Sequence, residues 1–212
     1  MRFYHPFPFF HRFLPGVICT QKPKDNQKTV YITFDDGPYP TLTEWLLNVL
    51  DRHQIPATFF LKGEQMFQNP LLTREILSEG HQVGNHTFSH LNGWRASKDS
   101  YMEDILRWED SFYEITKRDG NKLFRPPYGK LSPYQFLSLR KKGYQIVLWS
   151  LMTYDFDHSW NESSIINTTI GKTKPGSILV FHENDKTHER LPKILPAIID
   201  QLKKEGYTFK SL

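Results

Sequence analysis

Apolar and polar positions alternate over residues 29–34, Thr-Val-Tyr-Ile-Thr-Phe, and the segment is rich in β-branched and aromatic side chains. That pattern predicts a strand. The period then lengthens. Leu42, Trp45, Leu46, Val49 and Leu50 recur at helical spacing, with Thr41 and Glu44 at the positions of a capping box. Ile55-Pro56 interrupts the helix, and 57–61 reads as a buried strand. The same exchange of periods recurs to the end of the chain. Helices are predicted over 71–79, 99–118, 132–143, 163–172 and 191–205. Strands are predicted over 81–85, 123–125, 144–149, 177–181 and 207–210. Gly80, Gly143 and Gly206 mark helix stops, and Pro133 suits a first helical turn.

About seven strands separated by helices imply a mostly parallel α/β sheet with crossover connections. In such sheets the C-terminal strand ends share one face, and that face carries the site. Here those ends present Asp35 and Asp36, then His86, Arg125, Asp155 and His182. Residues far apart in sequence are therefore expected to converge.

Composition changes this picture little. The 212 residues suit one domain, expected over 29–212, with residues 1–28 as an aromatic and basic segment packing on it. A net charge of +4 is mild, and its basic residues fall in helix-like stretches. No nucleic-acid motif accompanies them, so a nucleic-acid partner is not expected. A single cysteine, Cys19, excludes an internal disulfide. Pro6, Pro8, His11, Arg12 and Pro15 interrupt the apolar start. Neither a signal peptide nor an integral membrane span is read there. A cytoplasmic monomer is the default expectation, with association to the cell envelope as the alternative.

By itself, Asp35-Asp36-Gly37-Pro38 is an ordinary polar strand end entering a turn. Neighbouring strand residues point to opposite faces, so both carboxylates reach one site only if the chain bends there. Gly37-Pro38 is the expected bend. His86 and His90 are four apart, and one helical turn would align their imidazoles. Two imidazoles and one carboxylate leave open positions on a metal, as catalysis requires. Such a set suits zinc, and also Fe(II), Co(II) or Ni(II).

Five motifs now stand in order: 33–38 (Thr-Phe-Asp-Asp-Gly-Pro), 86–90 (His-Thr-Phe-Ser-His), 125–129 (Arg-Pro-Pro-Tyr-Gly), 149–156 from Trp149 through Asp155-Phe156, and 180–182 (Val-Phe-His). Together they resemble the polysaccharide deacetylases, the NodB-homology domains of carbohydrate esterase family 4. The resemblance runs from about residue 29 to the end. It implies a distorted (β/α) barrel of about seven parallel strands and metal-dependent removal of acetyl groups. It further implies that Asp36, His86 and His90 hold one divalent metal, zinc first. Asp35 would then be the general base, and Arg125 its partner. The Tyr128 backbone N–H would face a developing oxyanion. His182 would be the general acid, kept charged by Asp155, with Asp157 as the alternative to Asp155.

The match loosens at the pocket. Phe156 stands where the family often has Trp, Val180 where it often has Leu, and Glu183 where an Asp is common. Pro127, Tyr128, Phe156 and Val180 are expected to shape the wall around the acetyl group. The expected substrates are N-acetylglucosamine-containing glycans, chitin oligomers or peptidoglycan. O-acetyl xylan, small-molecule amides and a non-catalytic glycan-binding barrel are the alternatives. Trp94 and Trp160 are candidates for stacking on sugar rings or for plain packing.

Overall fold

The strand β2, Thr29–Asp35, is buried at all seven positions. A strand covered on both faces is the mark of a parallel sheet wrapped by helices. The computed structural model describes residues 16–23 and 27–212. The other strands are β1 Val17–Ile18, β3 Thr58–Leu61, β4 Gln82–Asn85, β5 Leu123–Phe124, β6 Gln145–Val147, β7 Leu151–Met152, β8 Ile178–His182 and β9 Thr208–Phe209. The helices are α1 Leu42–His53, α2 Gly63–Gln68, α3 Pro70–Ser78, α4 Lys98–Thr116, α5 Pro133–Lys141, α6 Glu162–Lys172 and α7 Leu191–Lys204.

Hydrogen-bonded neighbours follow the order β1-β6-β5-β4-β3-β2-β8-β7, with β9 also on β2. Every ladder is parallel. The result is a curved, incompletely closed barrel. A Thr20–Ser177 bridge joins the segment after β1 to the entry of β8, across the gap. Two strands, β1 and β7, and the short helix α2 exceed the sequence expectation. Each strand has only two residues, too few for a visible alternation. The expected packing segment 1–28 falls largely on residues outside those described, 1–15 and 24–26. No helix among the described residues is long and apolar enough to cross a membrane.

The period of two sorts β2 between two cores. Val30, Ile32 and Phe34 pack outward with Leu46, Leu50, Ile194 and Ile198 of α1 and α7. Tyr31 points into the barrel with Phe60, Leu123, Val147 and Ile178. Thr33 and Asp35 continue that inner row toward the C-terminal rim. The capping box expected at Thr41 does not form. Thr41 takes φ 64 with no side-chain cap, and the Thr43 hydroxyl accepts from the Tyr39 N–H at 2.7 Å instead. A complete capping box sits at Ser132 and Gln135.

Helix α4 is the brace behind the rim. Its buried Trp108 donates from Nε1 to the Leu61 carbonyl at the end of β3, at 2.7 Å. Trp108→Phe keeps most of the apolar bulk but leaves that carbonyl with only the His86 N–H, at 3.1 Å, a loss of one buried hydrogen bond that costs about 0.5–1.5 kcal/mol. Denaturant unfolding measures this directly, and an unchanged midpoint would show that the bond carries no weight.

Candidate active site

The barrel's C-terminal rim gathers the residues that the motifs singled out. Asp35 closes β2 and lies inside. Its Oδ1 accepts from Arg125 Nη1 at 2.6 Å. Arg125 is fully buried and follows β5. Its guanidinium also donates to Thr33 Oγ1 and to the carbonyls of Val147 and Leu148, at 2.7, 3.3 and 3.1 Å. The Phe60 ring lies against its face, 4.0 Å from the guanidinium carbon. Burial pulls the Arg125 pKa below its ordinary value, while Asp35 opposes the shift. The buried cation is compensated on its edge and its face.

Asp36 takes φ 85. The bend that lets adjacent carboxylates share a site therefore begins at Asp36 itself, one residue before Gly37-Pro38. Asp is among the few residues that visit this region readily. Asp36 Oδ2 accepts from Asn184 Nδ2 at 2.7 Å. Oδ1 lies 3.8 Å from His86 Nε2 and 3.3 Å from His90 Nε2.

The two histidines do not meet on a helical turn. Residues 86–90 form a loop with φ 62 at Thr87 and φ 59 at His90. Asp104 of α4 holds that loop, accepting from Phe88 N, Ser89 N and Ser89 Oγ at 2.9, 3.0 and 2.8 Å. His86 Nδ1 lies 2.8 Å from the Arg125 carbonyl. A carbonyl can only accept, so Nδ1 carries the proton and Nε2 keeps its lone pair for the site. Burial holds the His86 pKa below the usual imidazole range and brings His90 to about 4. Both rings are neutral at neutral pH, as metal ligation needs. Burial opposes the charge on Asp36, but the fields of His182, His86, His90 and Lys62 outweigh it and lower its pKa. One ligand atom from each of Asp36, His86 and His90 lies within 4.8 Å of the others. Two lone-pair imidazole nitrogens and an ionised carboxylate fit a divalent cation.

His182 closes β8. Asp155 is wholly buried and grips it twice, Oδ1 to ring Nδ1 at 2.8 Å and Oδ2 to the backbone N–H at 2.6 Å. The carboxylate bonded to this ring is that of Asp155, and Asp157 accepts from Ser159. Burial disfavours the imidazolium, but the charge and hydrogen bond of Asp155 dominate and lift His182 to about 9.

A cavity of ≈ 520 Å³ opens over these groups, with Tyr128, Lys130, Trp149, Tyr154 and Phe156 among its walls. Tyr128 and Phe156 stand where the motifs put them. Val180 and Pro127 do not line this cavity. Val180 shares the inward face of β8 with His182 but lies one layer deeper, packed with Cys19, Leu148 and Trp149. Pro127 is also buried, and its neighbour Pro126 lines the wall instead.

A family profile described as polysaccharide deacetylase matches residues 22–147. The chain belongs to the polysaccharide deacetylase family. A peptidoglycan-N-acetylglucosamine deacetylase of Bacillus cereus is 36% identical over 198 residues, covering 92% of this chain and 91% of the relative. Peptidoglycan-N-acetylmuramic acid deacetylase PdaA of Bacillus subtilis is 32% identical over 188 residues, covering 88% and 70%. Among solved structures, the Bc1960 peptidoglycan N-acetylglucosamine deacetylase matches with TM-score 0.85 at 32% identity, covering 97% of this chain and 95% of that one. The fold and the hydrolase class are those of this family.

Two polar residues of the deacetylase site, Asn184 and Asp104, escaped the sequence reading, and so did the structural part played by a third, Glu183. Asn184 and Asp104 carry no motif of their own, and only packing brings them in. Glu183 stood out as a departure, but not as a structural part. It is buried against the Asp35-Asp36 turn and accepts from the Thr43 hydroxyl and the Tyr39 N–H. A Cβ on Gly37 would collide with its carboxyl group. Burial pushes that carboxyl up to about 8 against those hydrogen bonds.

His182 gives the deacetylase a pH signature. Its folded pKa, about 9, lies above the ordinary imidazole value of 6.5. The Asp155 pair therefore stabilises the fold fully below pH 6.5, and the gain is lost as pH rises through 9. In metal-free protein, NMR of the ring should show a proton leaving near pH 9, and Asp155→Asn should move that titration down. An unmoved titration would remove Asp155 as the cause.

Proposed function

We propose that the chain is a metal-dependent deacetylase that hydrolyses N-acetyl groups of N-acetylglucosamine-containing glycans. One observation carries the reading. A candidate metal triad, Asp36-His86-His90, shares one cavity with a carboxylate held by Arg125 and an imidazole held by Asp155. The names of the relatives, deacetylases of peptidoglycan and of chitooligosaccharides, support the substrate class.

Asp36, His86 and His90 would hold the ion, and their nitrogen and oxygen donors favour zinc. Bound there, the ion would polarise the acetyl carbonyl and lower the pKa of a water molecule. Asp35 takes the proton of the attacking water, and Arg125 fixes the direction of its carboxylate. The backbone N–H of Tyr128 serves as a donor to the oxyanion that develops. His182 then donates a proton to the departing nitrogen. Its charge at neutral pH favours amide over ester substrates, because an amine leaves poorly until it is protonated while an alcohol depends less on that proton.

The two carboxylates have different jobs, and their variants should separate. Asp36→Ala should weaken zinc binding in calorimetry. Asp35→Asn should bind zinc near the wild-type level yet release acetate about 10²–10⁴-fold more slowly from N-acetylglucosamine oligomers. Chelator should abolish release by the wild type and added zinc should restore it. Metal-independent release, or full activity in Asp35→Asn, would overturn the mechanism.

A further inference from the structure

Outward from the metal triad, a row of side chains runs from one wall of the cavity, at Tyr128 and Lys130, to Trp94 beyond it. The His90 ring meets the edge of Tyr128 with centroids 4.7 Å apart. Lys130 Nζ lies 5.9 Å from the Tyr128 ring centre and 5.1 Å from that of Trp94. Tyr128 and Trp94 are 59% and 61% exposed, large aromatic faces left open to solvent. Neither ring belongs to the cores of the barrel.

This row is built rather than accidental. Trp94 and Lys130 come from different loops, after β4 and after β5, and the loops are locked together. Gln135 of α5, almost fully buried, donates from Nε2 to the Gly93 carbonyl at 2.9 Å. The same side chain accepts from Ser132 N at 2.8 Å, inside the capping box. A Cβ on Gly93 would strike the Lys130 carbonyl, so only glycine permits the contact. The Trp94 backbone N–H is tied to Asn92 Oδ1 at 3.1 Å. Tyr128 is fixed by its left-handed backbone, φ 59. Open aromatic faces offer stacking surfaces to sugar rings. An ammonium held between two such faces adds a charge at the height of a ring substituent.

The charge balance points the same way. The only carboxylates among the residues lining the cavity are Asp35 and Asp36. Arg125 pairs with the first, and the second faces His86 and His90. Lys130 stands on the wall with no carboxylate among those lining residues to answer it, whereas Lys186 also borders a second pocket lined by Glu162, Asp185 and Glu189. A groove of this kind concentrates anions near its mouth.

We propose that Tyr128, Lys130 and Trp94 form an outer subsite for a sugar residue carrying a carboxylate, next to the residue that is deacetylated. The inference rests on the deacetylase reading of the cavity and narrows its substrate to acidic glycans, with Lys130 as the specificity-determining residue. The ring stacks on the aromatic faces, and the carboxylate pairs with the Lys130 ammonium.

Binding tests this without depending on turnover. Two probes are compared by calorimetry with the zinc-loaded protein in an Asp35→Asn background, which slows turnover; there, wild type denotes Lys130 and Trp94 unchanged. One is the neutral N-acetylglucosamine tetramer. The other is a peptide-free tetrasaccharide in which N-acetylglucosamine alternates with N-acetylmuramic acid, which carries a carboxylate. The wild type should prefer the acidic probe by about threefold or more at low salt, the range of a partly exposed ion pair. The preference should fade at about 1 M salt, where the screening length falls to ~3 Å. Lys130→Glu should reverse it, and Lys130→Gln should bring the ratio to about one. Trp94→Ala should weaken both probes, and circular dichroism would confirm that each variant is folded. Equal binding of the two probes by the wild type, or a ratio unmoved in Lys130→Glu, would overturn the subsite. Acetate release measured alongside, with Asp35 intact, separates the two claims. Release with no acidic preference removes the subsite alone, whereas a preference without any release removes the catalytic reading and leaves the subsite standing.

Discussion

The buried guanidinium of Arg125 is the constraint on which the rest of the site depends. It sits at the end of β5 and reaches Asp35 and Thr33 on β2 and the carbonyls of Val147 and Leu148 at and just beyond β6. Its own carbonyl accepts from His86 Nδ1. One residue thus aims the candidate base with its side chain and sets the tautomer of a candidate metal ligand with its main chain. A buried ion pair is weak evidence for stability, since desolvation consumes most of its attraction. Its value here is geometric. Strands that could slide or splay at an incompletely closed rim are tied to one planar fork with fixed donor directions.

The site is also electrically divided. On one side a carboxylate faces a permanent cation; on the other an imidazole faces a buried carboxylate, Asp155. The metal triad lies between, with neutral rings. Each group is held charged by a partner of opposite sign, and this is how one cavity can hold a base and an acid together at neutral pH. Asp155 bonds both the ring and the backbone of His182, so the main chain fixes the carboxylate that in turn orients the imidazole.

Much of this was legible in the sequence. The alternation of β2, the helical spacing of α1 and α4, and the strand-end positions of Asp35, His86, Arg125 and His182 follow from period and punctuation alone. The ordered motifs identified the family. What the sequence hid was whatever depends on contacts between segments remote in the chain. Asp104 looks like any acidic residue of a helix that carries several, yet it holds the loop of the two histidines. Val180 reads as a pocket wall from the family resemblance, but the strand's period puts it one layer deeper. Glu183 reads as a conservative exchange, and its buried carboxyl in fact shapes the turn at Gly37.

The bends were the least legible feature of all. Asp36, Thr87, His90, Tyr128 and Tyr154 all carry positive φ without being glycine. Sequence rules look for glycine at such places, because other residues are strained there. At this rim glycine would relieve the strain and delete the group the site requires: a ligand at Asp36 and His90, an aromatic face at Tyr128. The chain keeps the side chains and accepts the strain, of order 1–3 kcal/mol at each such position. The stabilisation that offsets it lies elsewhere, in the three hydrogen bonds of Asp104, the Gln135 lock between two loops and the core behind β2. The order of the argument therefore runs from the helices inward. The packing of α4 and α5 allows the rim loops their unfavourable backbones, and those backbones bring the functional groups together.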